Sequence, residues 1–141
     1  MSRKLDIADY PLAQTQPGEV KGARGLSLDD ITLDAVIAGK VEMDDLRITA
    51  DALNAQAEIA EAAGRAALAG NFRRGAELSR VPQTVIMQTY ELLRPGRAKD
   101  RQTLLDAAEL LRRDHGAERM AAFVEEAAEV YERRGLFTFR Y

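Results

Sequence analysis

Few residues in this chain are of a type that carries chemistry. There is no cysteine, so thiolate nucleophiles, thiolate metal sites and disulfides are excluded. The single histidine, His115, cannot build a multi-histidine metal site. Beside Asp114 and just ahead of Gly116, it reads as a cation placed to stabilise a helix C-terminus. Carboxylates stand next to each other at Asp29-Asp30, Asp44-Asp45 and Glu125-Glu126. Neighbours in a helix or turn point in different directions, so these pairs read as solvated faces or first-turn charges. The stretch GNFRRGAELSRVP, residues 70–82, sets Arg73 and Arg74 between two glycines, as a phosphate site would. However, Gly64, Gly70 and Gly75 follow no strand and match no Walker or dinucleotide pattern. No catalytic, cofactor-binding or metal-ligating residue is expected in the chain.

The composition points towards protein partners. At 141 residues the chain has the length of one domain, and its net charge of −3 is unlike the basic balance of nucleic-acid-binding domains. Of its 20 basic residues 16 are Arg, with Lys only at Lys4, Lys21, Lys40 and Lys99. Arg is enriched at interfaces and Lys depleted, although a GC-rich genome produces the same bias. The N-terminus lacks the apolar core of a signal peptide, and no run approaches the roughly 20 apolar residues that span a bilayer. A cytoplasmic protein with no membrane segment is expected.

The elements that must position these residues are helices. Residues 1–26, with Pro11, Pro17, Gly18, Gly22 and Gly25, are expected to form an extended arm whose apolar anchors are Tyr10, Pro11 and Leu12. Residues 27–141 form the helical domain. Thr32 is expected to cap a short helix with Leu33, Val36 and Ile37 on one side and Gly39 at its end. Thr49 then caps a segment with ten alanines between 50 and 69. At 100° per residue, Leu53, Ala57, Ala60, Gly64, Ala67, Asn71, Gly75 and Leu78 share one stripe, which predicts a single long helix over about 50–80. That wheel places Phe72 about 100° from the stripe on an outer patch with Ala62, Ala69 and Ala76, and Arg73 and Arg80 nearly opposite it. Tyr10, Pro11, Leu12, Phe72, Arg73 and Arg80 are therefore the candidate interface residues.

Shorter helices follow. One begins near Pro82 and stops before Pro95, with Val85, Ile86, Thr89, Tyr90 and Leu93 at three-four spacing. The next is capped by Asp100, carries Leu104, Ala108 and Leu111, and stops at Gly116. The last carries Met120, Val124, Ala127 and Tyr131 and stops at Gly135. No βαβ pattern occurs, and the class is all-α. An alternative function, a helix-turn-helix DNA-binding regulator, is suggested by AELSRVPQTVIMQTYELL. Against it, the second helix has no arginine until Arg94 and so lacks phosphate contacts.

The same residues resemble a known family. DYPLA at 9–13, DITLDAVIAGKV at 30–41, DLRIT at 45–49, QAEIAEAAGRAALAGNFRRGAEL at 56–78, VP, I and YELLRPGR within 81–97, and AAFVEEAAEVYERR at 121–134 follow one colinear order. This pattern resembles the small subunit of the adenosylcobalamin-dependent diol and glycerol dehydratases, over almost the whole chain. The resemblance implies a hydro-lyase that dehydrates a vicinal diol, such as propane-1,2-diol or glycerol, to an aldehyde by radical chemistry. It also implies large and medium partner subunits, a dimer of heterotrimers, and a coenzyme held by those other subunits. The small subunit would brace the large one and carry no catalytic residue. Gly75 stands where the family usually has Ala, and Gln83 where it has an acidic residue. The apolar end LFTFRY replaces a polar, Lys-rich one. Only eight residues precede Asp9, which argues against encapsulation in a microcompartment through this subunit.

Overall fold

The computed structural model describes residues 3–138. Among these residues the secondary structure is helical, and the extended pairing is one isolated bridge, Lys21 to Ser27. The all-α class expected from the sequence is the class observed. The chain divides into two compact units, one ending at Ser79 and the other beginning at Arg80.

The first unit begins with short turns. A 3₁₀ turn at Ile7–Asp9 leads into α1, Leu12–Thr15, and a second 3₁₀ turn covers Pro17–Glu19. The expected extended arm is thus coiled into single turns, and side-chain hydrogen bonds hold it. The Asp9 carboxylate accepts from Arg3, from the Asp6 N–H at 2.8 Å and from Gln16 at 2.7 Å. These donors, Arg3 foremost, hold its pKa below the usual carboxylate range. Lys4 reaches Glu61 at 2.8 Å, and the Leu5 N–H donates to Glu58 at 2.9 Å, which fastens the segment to a later helix.

Residues 27–48 contain a 3₁₀ turn, Leu28–Asp30, and two small helices, α2 at Leu33–Ile37 and α3 at Met43–Leu46. Thr32 caps α2 as expected, accepting from the Ala35 N–H at 3.1 Å, and Gly39 ends it with φ +70°. In the segment EMDDLRIT, residues 42–49, Glu42 and Asp45 form a reciprocal capping box around α3. Gly22 is required close by: a Cβ there would lie 3.1 Å from the Asp45 carbonyl oxygen.

The alanine-rich segment is helical over nearly all of its length, but in two pieces. Thr49 caps α4, Ala50–Ala62, through the Ala52 N–H at 3.1 Å. The chain then reverses at Gly64, which has φ +74°, and resumes as α5, Ala66–Leu78. The Arg65 N–H donates to the Ala60 carbonyl at 2.8 Å, the six-to-one bond of a Schellman end. This replaces the single helix over 50–80 with an antiparallel hairpin. Ala57, Ala60 and Ala69 form its core, with Leu68 and Phe72 packed against them.

The break also resets the helical wheel. Ala69 and Ala76, expected on an outer patch, are buried, whereas Ala67, expected on the inner stripe, is exposed. Phe72 is half-buried against the core instead of lying on a wet face. Gly64→Ala is expected to lower the unfolding free energy by about 1–2 kcal/mol, the cost of a left-handed backbone for a residue with Cβ. No atom would meet that Cβ, so urea unfolding should read the backbone term alone and Gly64→Asn should be milder.

The second unit contains α6, Gln83–Leu93, α7, Arg101–His115, and α8, Glu118–Arg134. Asp100 caps α7 as expected, and Gly116 and Gly135 end α7 and α8 in the left-handed conformation. His115 lies in the last turn of α7 with Arg112 and Arg113, where the helix dipole favours cations. Leu104, Ala108 and Leu111 are fully buried as their spacing predicts, together with Ala121, Val124 and Ala128 of α8. On α6 the pattern holds in part: Thr89 is buried, but Tyr90 is 60% exposed.

Arg112 ties α7 to α8 with paired bonds to Glu125 at 2.7 and 3.0 Å and a third to Glu118 at 2.9 Å. The Tyr131 hydroxyl donates to the Leu93 carbonyl, and the Gly96 N–H to the Leu136 carbonyl at 3.0 Å. Phe137 meets Tyr131 edge-on with ring centroids 6.2 Å apart, so the first part of the apolar tail Leu136–Tyr141 packs within this unit. The rest of that tail, 139–141, lies outside the described residues.

Candidate subunit interface

Almost every group that looked chemically able is engaged in holding the fold. Asp30 caps Ser27 through the Ser27 N–H at 2.9 Å, and Asp44 pairs with Arg47 at 3.0 Å. Asp45 is buried and takes Arg24 at 2.9 Å and the Glu42 N–H at 2.8 Å on one oxygen. Glu125 belongs to the Arg112 pair, which holds its carboxyl below the usual range. Among the described residues no group of three or more His, Cys, Asp or Glu could hold a metal ion.

The arginine pair of GNFRRG is likewise occupied. Arg73 reaches both oxygens of Glu61 across the hairpin, at 3.2 and 2.9 Å, and Arg74 donates to the Asn71 side-chain oxygen. Glu61 also receives Lys4, so one carboxylate joins the N-terminal segment, α4 and α5. Arg73, followed by Lys4, lowers the Glu61 pKa from 4.5 to about 2. A carboxyl whose pKa is lower in the folded state adds stability above its unfolded pKa and loses it as pH falls. The contribution of Glu61 is therefore complete above about pH 4.5 and lost towards about pH 2. Glu61→Gln is expected to lose less stability than the parent between those limits. Urea midpoints at pH 5 and pH 2.5 check this, and equal losses would show the cluster to be inert.

Of the six candidate interface residues, the five in the first unit fall in two separate settings. Tyr10 is 71% exposed, Pro11 and Leu12 are half-buried, and the three line a cavity of about 550 Å³ against Ala52, Ala55 and Ile59 of α4. Phe72 belongs to the hairpin core and Arg73 to the Glu61 cluster. Arg80, at the start of the second unit, is exposed.

What the helical wheels missed is the display of apolar residues between 28 and 48. Leu33 is 74% exposed, Ile37 76% and Met43 67%, and Leu28, Val36, Leu46 and Ile48 are exposed too. The spacing of Leu33, Val36 and Ile37 predicts one side of α2, and all three are exposed: nothing among the described residues of the first unit covers that side. The signal was available in helix length, since helices of five and four residues cannot bury a large face by themselves. This many large apolar side chains exposed within one short segment is the pattern of an interaction site. On α6, Gln83, Thr84 and Gln88 are exposed with no basic neighbour before Arg94, and Arg94 pairs with Glu91 at 3.0 Å. That face lacks the phosphate contacts a DNA-binding helix needs.

Comparison with known proteins agrees with this picture. The propanediol dehydratase small subunit of Salmonella typhimurium is 46% identical over 133 residues, covering 94% of this chain and 76% of that protein. The protein of the same name from Citrobacter freundii is 46% identical over 128 residues, covering 91% of this chain and 74% of its relative. Neither match favours a DNA-binding regulator. The model of the dehydratase small-subunit family matches residues 5–138, and the chain belongs to that family.

Proposed function

We propose that this small subunit works in a propanediol or glycerol dehydratase assembly by bracing the large, catalytic subunit, and that it supplies no reacting group itself. The observation that carries the proposal is the division of labour among its side chains. The groups able to do chemistry are spent on capping and internal ion pairs, while large apolar residues are held out to solvent.

The assembly removes water from a vicinal diol to leave an aldehyde, with large and medium subunits present in a dimer of heterotrimers. The radical chemistry of that reaction would be supplied by adenosylcobalamin bound in the assembly. The 550 Å³ cavity of the first unit has no histidine in its lining, which mixes Glu19, Lys21 and Asp51 with aliphatic side chains such as Leu12, Ala55 and Ile59. In this reading the coenzyme is held by the other subunits.

Co-expression tests the proposal. With large and medium subunits of a propanediol dehydratase, the chain is expected to co-purify and to raise the yield and stability of active enzyme. Full activity and stability of the other two subunits without it would sink the proposal, as would a chain that stays monomeric in their presence.

A further inference from the structure

The charge of this chain is concentrated where its apolar residues are exposed. Residues 28–48 hold six acidic side chains, Asp29, Asp30, Asp34, Glu42, Asp44 and Asp45, against two basic ones, Lys40 and Arg47, a net of −4. The whole chain carries −3, so everything outside this segment sums to +1. Among those acids only Asp45 is buried, and the other five are exposed beside the apolar residues.

The segment is held in place from beneath. Val41 and Asp45 are buried, Arg24 clasps Asp45, Thr32 caps α2, and the Glu42–Asp45 box caps α3. Leu33 and Ile37 lie one turn apart on α2, and Met43 and Leu46 three residues apart on α3, so each helix turns one apolar edge to solvent. Local capping thus pre-orders an apolar ridge before anything covers it, which lowers the ordering cost of association.

We infer that this acid-rich apolar ridge at 28–48 docks into an apolar groove rimmed by arginine or lysine on the large subunit of the dehydratase. The inference rests on the assembly role proposed above. A second copy of this chain would bring two surfaces of net −4 together, and like charges across an interface cost affinity. A basic rim supplies the complementary potential and speeds encounter at low salt.

The test uses the co-expressed complex with an affinity tag on the large subunit. Leu33→Ser with Ile37→Ser removes the apolar edge of α2, and Asp29→Lys with Asp34→Lys reverses two of the acidic charges; circular dichroism checks each fold. The apolar pair is expected to weaken retention by about tenfold or more, as loss of central apolar anchors does. The charge pair is expected to slow association at low salt and to differ less from the parent at high salt.

Wild-type retention by both folded variants would overturn the inference. So would a parent small subunit that dimerises by sedimentation through the ridge, with the apolar pair abolishing the dimer and leaving the complex intact. A parent chain that never joins the large and medium subunits would remove the assembly role itself, and that failure is distinguishable because no variant is needed to see it.

Discussion

Leu111→Ala is expected to lower the unfolding free energy of the second unit by about 2–5 kcal/mol, the range for deleting a fully buried leucine. Leu111 has no exposed surface, and neither have Leu104, Ala108, Ala121, Val124 and Ala128. The fully buried larger side chains of α7 and α8 are thus Leu104, Leu111 and Val124, set among alanines, with Met120 of α8 buried as well. Adjacent Leu110 keeps 36% of its surface in water, so Leu110→Ala should cost clearly less. Urea unfolding followed by circular dichroism distinguishes the two, and equal costs would show that α7 does not present Leu111 to the core.

Overfilling the first unit is expected to be the next most damaging change. Ala57 and Ala69 are fully buried where α4 and α5 cross, and the methyl of Leu53 would lie 3.5 Å from a Cβ at Gly75. Small residues let the two helices approach closely, so Ala69→Leu has no space for its added carbons. The strain should cost about 1–3 kcal/mol, read as a lower urea midpoint. Ala67→Leu, on an exposed position two residues earlier, should be nearly neutral. The pair of variants also separates two geometries. In one unbroken helix over 50–80, Ala69 faces outward and Ala67 inward, and the order of the two effects would be reversed.

The two halves of the molecule thus differ in how they are stabilised. The second unit relies on larger aliphatic side chains and on Arg112, whose pairs with Glu118 and Glu125 are partly exposed and so contribute only weakly. The first unit has a thin alanine core, so caps and ion pairs carry more of the work: Asp9 gathers the N-terminal turns, Glu61 joins three segments, and Asp45 anchors the 28–48 segment. A subunit that keeps large apolar residues outside cannot also spend them inside. This is the structural counterpart of a role in assembly.

Much of this protein was determined by local sequence alone. Threonine and aspartate caps at Thr32, Thr49 and Asp100, the stops at Gly39, Gly116 and Gly135, the buried edge of α7 and the all-α class all follow from interactions within a few residues along the chain. The colinear motifs likewise sufficed to identify the family. Gly64 ends α4 by the same glycine chemistry as Gly116, but it sits in an alanine run whose propensity favours helix on both sides. Tertiary structure decided that the chain turns there, because reversal buries Ala57 and Ala60 against Ala69 and brings Arg73 to Glu61. Once the helix is interrupted, the 100° step no longer relates residues on either side. The directions of Phe72, Ala69 and Ala76 were then set by packing across the hairpin, beyond the reach of any periodicity. The exposure of Leu33, Ile37 and Met43 has the same origin: spacing places apolar residues on a face, and only the fold determines whether anything lies opposite it.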